Sequence, residues 1–313
     1  MTTAVNGRKV YIAGHTGLVG SALVAHLSSL NGIGLVVASR TEVDLTVSAT
    51  VERFLAREKP DIVVNAAGRV GGILANSTYP AEFIYQNLMI EANLVHASWK
   101  AGVRRLLNFG SGCMYPKHSP QPMSPDLLMA GRLEPTSEPY AIAKLAGLSL
   151  CSSYNQQYGT SYITVIPCSL YGPGDTFDPT NAHVISALIR RFHEAREKGA
   201  AEVVLWGTGA ARREFLYVAD LAEACVILLR GYDGSAPVNV GSGESHTVRE
   251  IARFIAEVVG FQGEIRCDPS RPDGAQEKLL DSKVMRSFGW SPLTDLRTGL
   301  DRTYRWFLEN CKR

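Results

Sequence analysis

The six cysteines of this 313-residue chain (Cys113, Cys151, Cys168, Cys225, Cys267 and Cys311) include no C-x-x-C pair and no metal-ligand spacing. That leaves no zinc ribbon and no thiol–disulfide exchange motif, and a disulfide framework does not suit a chain of this size. A reduced, cytoplasmic protein with mostly buried thiols is the expectation. An apolar h-region is missing from "MTTAVNGRK", so this segment does not read as a secretory signal. Nor does any apolar run approach the ~20 residues that span a bilayer. Charge of one sign is also lacking. The formal net charge is +2, which gives no broad footprint for nucleic acid or an anionic membrane. Internal repeats and low-complexity segments are absent, and with 45% hydrophobic and 20% charged residues the composition is that of an ordinary globular chain.

What is present is a rhythm. "KVYIA" (9–13), "GLVVA" (34–38), "DIVVNAA" (61–67), "RRLLNF" (104–109) and "SYITVIP" (161–167) are short, continuous apolar runs, as expected of parallel strands covered on both faces. Helix-length amphipathic stretches lie between them, and βαβα order predicts a doubly wound α/β sheet of the Rossmann type. Past residue 170 the rhythm loosens through the Gly/Pro/Asp-rich "YGPGDTFDPTN", then gives helix patterns at 183–199, 219–231, 247–259 and 295–310 with short strands between. The expected division is a dinucleotide-binding domain over 1–170 and a smaller α/β substrate-binding portion over 171–313, some of whose chain returns to the first domain.

Gly14, Gly17 and Gly20 follow the first strand at G-x-x-G-x-x-G spacing and open a helix. Such glycines permit a tight turn, and the helix N-terminus offers unpaired N–H groups to a pyrophosphate. At the end of the second strand, "VVASRTEVD" has Arg40 and no acid until Glu42, where an NAD-selective site usually places a carboxylate for the ribose hydroxyls. A guanidinium suits a 2′-phosphate, so NADP(H) is favoured, against the plainer reading of Arg40 as a solvated surface charge.

Tyr140 and Lys144 in "EPYAIAKLAG" stand at i and i+4, on one helix face. A nearby ammonium is expected to lower the phenol from its reference of ~10, which suits proton exchange with a carbonyl. By itself the spacing also describes a surface pair. Ser111 ends the fourth strand, and Cys113 two residues on is a small hydrophobe, a redox thiol or a base on its residue type alone.

Taken together, Gly14-x-x-Gly17-x-x-Gly20, "NAAG" at 65–68, Ser111 and Tyr140-x-x-x-Lys144 resemble the extended short-chain dehydrogenase/reductases that act on nucleotide sugars. "AGHTGLVGSA", "VGGILANSTYPAEFIYQNLMIEANLVHA", "GSGCMYPK", "NAHVISALIRRFHEA", "RREFLYVADLAEA" and "RPDGAQEKLLD" narrow the resemblance, over nearly the whole chain, to the GDP-L-fucose synthase family. That resemblance implies NADPH-dependent epimerisation at C3 and C5 of a GDP-4-keto-6-deoxymannose, then reduction at C4. It gives Cys113 and His183 the base and acid roles beside Ser111, Tyr140 and Lys144. A thiol can serve as a base when positive charge lies near, and histidine protonates near neutrality. Sugar-nucleotide dehydratases, by contrast, have an Asp-Glu pair where this chain has Gly112-Cys113, and 4-epimerases have small inert residues there.

The same resemblance implies a cofactor site lined by Gly14, His15, Thr16, Gly17, Leu18, Val19 and Gly20, then by Arg40, Asp44 and Leu45, and by Ala66 and Ala67. Phe109, Gly110, Ser111 and Gly112 join it, with Pro167, Cys168, Ser169 and Leu170, and with Tyr140, Lys144 and His183. Arg191, Trp206, Arg213 and Asp273 are implied to hold the GDP-sugar, although a solvated helix face explains Arg191 and a core aromatic explains Trp206 equally simply. This chain departs from the family at Thr16 (usually Arg), Gly112 (a second Ser), Cys168-Ser169 (Thr-Asn) and "NAHV" (Asn-Ser-His). A related GDP-sugar, a deoxyheptose or colitose precursor, is therefore an alternative substrate, and an NADP-binding sensor without catalysis is an alternative of another class. A homodimer through the helices at 80–100 and 140–158 is implied by analogy.

Overall fold

The computed structural model describes residues 5, 7–178, 182–270 and 276–311. The chain opens with β1 (Lys9–Ala13), α1 (Leu18–Ser28), β2 (Gly34–Val36), α2 (Ser48–Glu58), β3 (Ile62–Asn65), α3 (Ile73–Thr78), α4 (Pro80–Lys100), β4 (Arg105–Phe109), α5 (Glu138–Tyr158) and β5 (Ser161–Pro167). Past Cys168 come β6 (Ser169–Tyr171), α6 (Val184–Glu197), β7 (Glu202–Trp206), β8 (Arg212–Tyr217), α7 (Val218–Gly231), β9 (Val238–Val240) and β10 (Ser245–Thr247). The remainder is α8 (Val248–Val259), β11 (Glu264–Asp268), β12 (Glu277–Lys278), α9 (Lys283–Ser287) and α10 (Leu296–Asn310).

Six strands form one parallel sheet in the order β2-β1-β3-β4-β5-β9. The apolar runs are buried on both faces as their composition requires. Val10, Ile12, Ile62, Val64, Leu107 and Val165 pack beneath α1, α7 and α9, while Tyr11, Val63, Leu106 and Tyr162 pack beneath α2, α4 and α5. Two strands end earlier than their sequence suggests. β2 stops at Val36, and farther on the Ser39 N–H is taken by the Glu42 carboxylate at 2.7 Å. β3 stops at Asn65, although the Ala66 N–H still donates to the Ala13 carbonyl at 3.0 Å.

The rest of the chain builds a second core from β6, β7 and β8 with α6, α8 and α10. Here β8 pairs with β10, β12 and β6, and β7 pairs with β11. α8 is started by a reciprocal cap, in which the Thr247 hydroxyl accepts from the Glu250 N–H while Glu250 accepts from the Thr247 N–H.

Between the two cores the chain crosses five times on short spans. One residue, Cys168, separates β5 from β6, and none separates β8 from α7. Four residues (241–244) join β9 to β10, four (279–282) join β12 to α9, and eight (288–295) join α9 to α10. Glu214 of β8, only 1% exposed, pins two of these spans by accepting from the Gly243 N–H at 2.7 Å and the Leu280 N–H at 2.9 Å. Among the described residues no helix is long and apolar enough to cross a membrane.

Candidate active site

All parallel strands of the large sheet point their C-terminal ends to one edge, and an open α/β sheet binds ligands there. At the end of β1, Gly14 takes φ 77°, a conformation that favours glycine. A Cβ on Gly14 would lie 2.7 Å from the Ala66 carbonyl and from the Ala67 backbone, and one on Gly20 would lie 2.1 Å from the Gly14 carbonyl. Gly17, by contrast, has room for a side chain, its nearest neighbour being 3.6 Å away. Gly17 is also the N-cap of α1, with no side-chain cap, so the first N–H groups of Leu18 and Val19 are left to a ligand. His15 and Thr16 fill the turn, Thr16 exposed. This close-packed glycine turn beneath an uncapped helix end fits the pyrophosphate of a dinucleotide.

Arg40 follows β2 with its side chain 74% exposed, 4.0 Å from the Asp44 carboxylate. Asp44 is itself occupied by Thr46, whose N–H and hydroxyl donate to it at 2.9 and 2.7 Å and hold its carboxyl below the usual range. The Leu45 carbonyl accepts from Asn93 of α4 at 2.9 Å, tying this loop to the helix layer.

The catalytic candidates converge at the ends of β3, β4 and α5. Beyond Phe109 and Gly110, both buried, Ser111 caps a short 3₁₀ turn over Gly112–Met114, its hydroxyl accepting from the Cys113 N–H at 3.2 Å. Tyr140 and Lys144 lie one turn apart on α5, and Tyr140 packs edge-on against Phe83 of α4 with ring centroids 6.3 Å apart. The "NAAG" loop passes over Lys144, for a Cβ on Gly68 would stand 3.8 Å from its Nζ.

One expectation is overturned. The phenol of Tyr140 is raised above its ordinary value, because burial outweighs the opposing pull of Lys144, and because Cys113 and Glu91 add to the rise. Ser111 also pulls it down, though too weakly to reverse the sign. Lys144 does not stand alone. Its Nζ donates to Glu91 Oε1 of α4 at 2.6 Å, and both side chains are almost fully buried. Burial pulls the ammonium down, but Glu91 and Tyr140 more than offset this, and its pKa ends above the ordinary lysine value.

His183 is the N-cap residue of α6, and the carbonyl of the adjoining Ala182 would meet a Cβ on Gly72, in the loop after β3, at 3.0 Å. Its Nδ1 is buried, lacks a hydrogen bond, and lies 3.7 Å from Asp175 Oδ1. Asp175 is buried and further fixed by the Thr176 N–H at 2.8 Å and by the Ser186 hydroxyl. Pro167, Cys168, Ser169 and Leu170 form the first crossing between the cores. The Cys168 N–H donates to the Val240 carbonyl at 3.0 Å, and burial together with Glu214 drives its thiol well above the ordinary range, so it stays protonated.

Of the nucleotide-sugar candidates, two gather at the end of β7. Arg191 of α6 donates to the Val204 carbonyl at 3.0 Å, and Trp206 is 63% exposed two residues farther on. Arg213 belongs to β8, in the other small sheet, where its Nη1 donates to the Arg212 carbonyl at 2.6 Å. Asp273 lies outside the described residues.

Sequence reasoning missed Glu91, Asp175 and Lys278. Lys278 of β12 brings its Nζ to within 3.5 Å of the Gly112 carbonyl, next to Cys113. For Glu91 a signal existed, since it interrupts the buried stripe of Phe83, Asn87, Ile90 and Leu94 on α4 with a carboxylate. For Asp175 and Lys278 no local pattern pointed inward.

Residues 10–241 match the NAD dependent epimerase/dehydratase family. The chain is 51% identical over 306 residues to GDP-L-fucose synthase 1 of Arabidopsis thaliana, a match covering 97% of this chain and 95% of that one. To the GDP-L-fucose synthase of Escherichia coli (strain K12) it is 49% identical over 312 residues, covering 97% of each. Among solved structures it is similar to the GDP-mannoheptose C4 reductase of Campylobacter jejuni with NADP bound, at TM-score 0.89 and 34% identity over 98% of this chain and 99% of that one. By sequence and by architecture this chain belongs to the NAD dependent epimerase/dehydratase family, on its GDP-L-fucose synthase branch.

Proposed function

We propose that this protein converts GDP-4-keto-6-deoxy-D-mannose to GDP-L-fucose, by epimerisation at C3 and C5 and NADPH-dependent reduction at C4. The observation that carries the reading is Ser111, Tyr140 and Lys144 at the dinucleotide edge of the sheet, with Cys113 in the turn capped by Ser111. The Arabidopsis and E. coli synthases, at about half identity, support the fucose substrate over a heptose, since the heptose reductase shares 34%.

The 4-keto group makes the hydrogens on C3 and C5 acidic. Cys113 and His183 remove and return those protons, with Asp175 beside Nδ1 leaving Nε2 to face the sugar. Negative charge then gathers on the C4 oxygen, where the hydroxyls of Ser111 and Tyr140 donate to it. NADPH, when bound, supplies the hydride for C4. Tyr140 gives its proton to the same oxygen, and Lys144 holds positive charge beneath it. Trp206 offers a face to the guanine, and Arg191 and Arg213 suit the diphosphate. Incubation with the keto-sugar and NADPH, followed by NMR of the product, tests the whole assignment. GDP-L-fucose is expected, and no NADPH consumption, or a product of another configuration, counts against it.

Arg40 is the group assigned to the 2′-phosphate. Arg40→Ala is expected to weaken NADPH binding and leave NADH binding nearly unchanged, as read by fluorescence titration with each cofactor. A charge-assisted hydrogen bond is worth ~1.5–3 kcal/mol, and the exposure of Arg40 puts the loss at the lower end. With Thr16 in place of arginine, the wild-type preference is modest. Equal weakening of both cofactors contradicts the assignment.

We further propose a cytoplasmic homodimer, with residues 1–170 serving the cofactor and 171–313 mainly the substrate. Its support is the free state of all six thiols and the exposed Tyr85, Ile142 and Tyr158 on the paired helices α4 and α5. Sedimentation should give twice the chain mass, and Tyr85→Glu should lower it. A monomer at micromolar concentration rejects the dimer.

A further inference from the structure

Tyr140 and Lys144 are common to catalysts that oxidise and to catalysts that reduce, so they leave open what sets the proton on Tyr140. Beneath them lies a carboxylate that the spacing did not announce. Glu91 is 0% exposed, and its Oε1 receives the Lys144 ammonium at 2.6 Å. Its Oε2 lies 3.3 Å from Asn65 Nδ2, and the same Nδ2 donates to Asn108 Oδ1 at 2.9 Å. β3, β4, α4 and α5 thus meet at this carboxylate. Space for it is provided on α5, where a Cβ on Gly147 would stand 2.4 Å from Oε2. A buried charge without a partner is costly, and this one has a partner, an amide beside it and a glycine that makes room.

We propose that Glu91 is a positioning residue for the reductive half of the reaction: its buried carboxylate fixes the Lys144 ammonium and offsets its charge, so that Tyr140 meets the substrate as a neutral proton donor rather than a phenolate. An unopposed ammonium one turn below a phenol favours the phenolate, which suits a base that oxidises an alcohol. An ammonium already paired with a carboxylate presents little net charge, and the phenol keeps its proton for the C4 oxygen. The charged or titratable groups acting on this pair are Glu91 from α4, Cys113 from the turn after β4, and Cys151 from α5 itself. Burial keeps the Cys151 thiol protonated. This inference rests on the proposed reduction.

The sign is set by electrostatics. Removing a negative charge lowers the pKa of every acid near it. Glu91→Gln therefore makes both Lys144 and Tyr140 release protons at lower pH, while reduction needs both protonated. The basic limb of the kcat profile should move down by roughly 1–3 pH units, the range for a close opposite charge. The loss of kcat then grows with pH, from small on the acid side to ten-fold or more above the new limb, with KM for the keto-sugar little changed. Glu91→Asp keeps the charge on a shorter arm and should restore most of the shift. A purely structural Glu91 predicts a lower melting temperature with the limb unmoved, and that result overturns the proposal. In wild-type protein without cofactor, ¹³Cε NMR of labelled lysine, assigned with Lys144→Met, should show Lys144 titrating above free lysine. Titration at or below free lysine overturns the proposal even if Glu91→Gln fails to fold. If the wild type consumes no NADPH with the keto-sugar, the reductase reading fails instead, and the NMR titration still decides the pairing.

Discussion

Tyr140→Phe should stop reduction of the keto-sugar while deuterium from heavy water continues to enter C3 and C5. The two outcomes separate because the proposed groups act at different atoms. Tyr140 gives its proton to the C4 oxygen, whereas Cys113 and His183 act on the neighbouring carbons. Without the phenol, the Ser111 hydroxyl still meets the charge that gathers on the C4 oxygen, so exchange slows but persists. A positioned acid contributes typically ~10²–10⁴-fold, and NADPH oxidation should fall by at least that much. Phenylalanine keeps the ring against Phe83, so folding is preserved. Loss of exchange together with reduction would show that one group serves both halves, and the division of labour would be wrong.

Cys113→Ser should slow formation of GDP-L-fucose by on the order of 10²–10⁴, with the loss falling on proton abstraction. A serine hydroxyl has nearly the shape of the thiol, so the turn capped by Ser111 and the reach of Lys278 to the Gly112 carbonyl both survive. Cofactor affinity should be unchanged. A hydroxyl is far harder to ionise, which leaves the C3 and C5 hydrogens in place. Reduction of the unepimerised ketone then yields a GDP-6-deoxyhexose of the D-manno or D-talo series, identifiable by NMR. A thiol that only fills space predicts altered stability and near-normal chemistry. Wild-type exchange rates in Cys113→Ser would falsify the assignment and leave His183 to supply the base.

Where a side chain's job is done by its immediate neighbours in sequence, the chain could be read directly. Gly14 lies in the turn after a strand and Gly20 in the first turn of a helix, both elements that the apolar runs already marked, and neither position admits a Cβ. Gly17 has the same signature in sequence and yet ample space, so its part lies in leaving the N-terminus of α1 without a side-chain cap rather than in close packing. Tyr140 and Lys144 were legible from helical spacing, but not the protonation of the phenol. That depends on burial and on Glu91, 53 residues before Lys144 and on another helix. Its only trace was a carboxylate in an apolar stripe. Glu214 was hidden for the same reason, since it satisfies N–H groups on two of the spans that cross between the cores. Asp175 was hidden because its partners His183 and Ser186 reach it only once the loop after β6 folds back onto the head of α6. β2, an edge strand paired only with β1, ends at Val36, short of its apolar run.

Those crossings have a mechanical consequence. A hinge swings when few strands of chain span it and each has slack. This junction is spanned five times, once with a single residue and once with none, and the Glu214 carboxylate rivets two of the remaining spans. It behaves as a weld. The gap between Cys113, carried by the large sheet, and His183, carried at the head of α6, is therefore fixed by construction rather than by ligand-driven closure. Entry of a bulky nucleotide sugar has to be accommodated by side chains and loops at the rim. The fidelity with which two carbons are inverted and a third reduced then becomes a matter of rigid spacing, and a lesion in a span far from the sugar, such as Glu214→Ala, would surface as a mixture of product diastereomers.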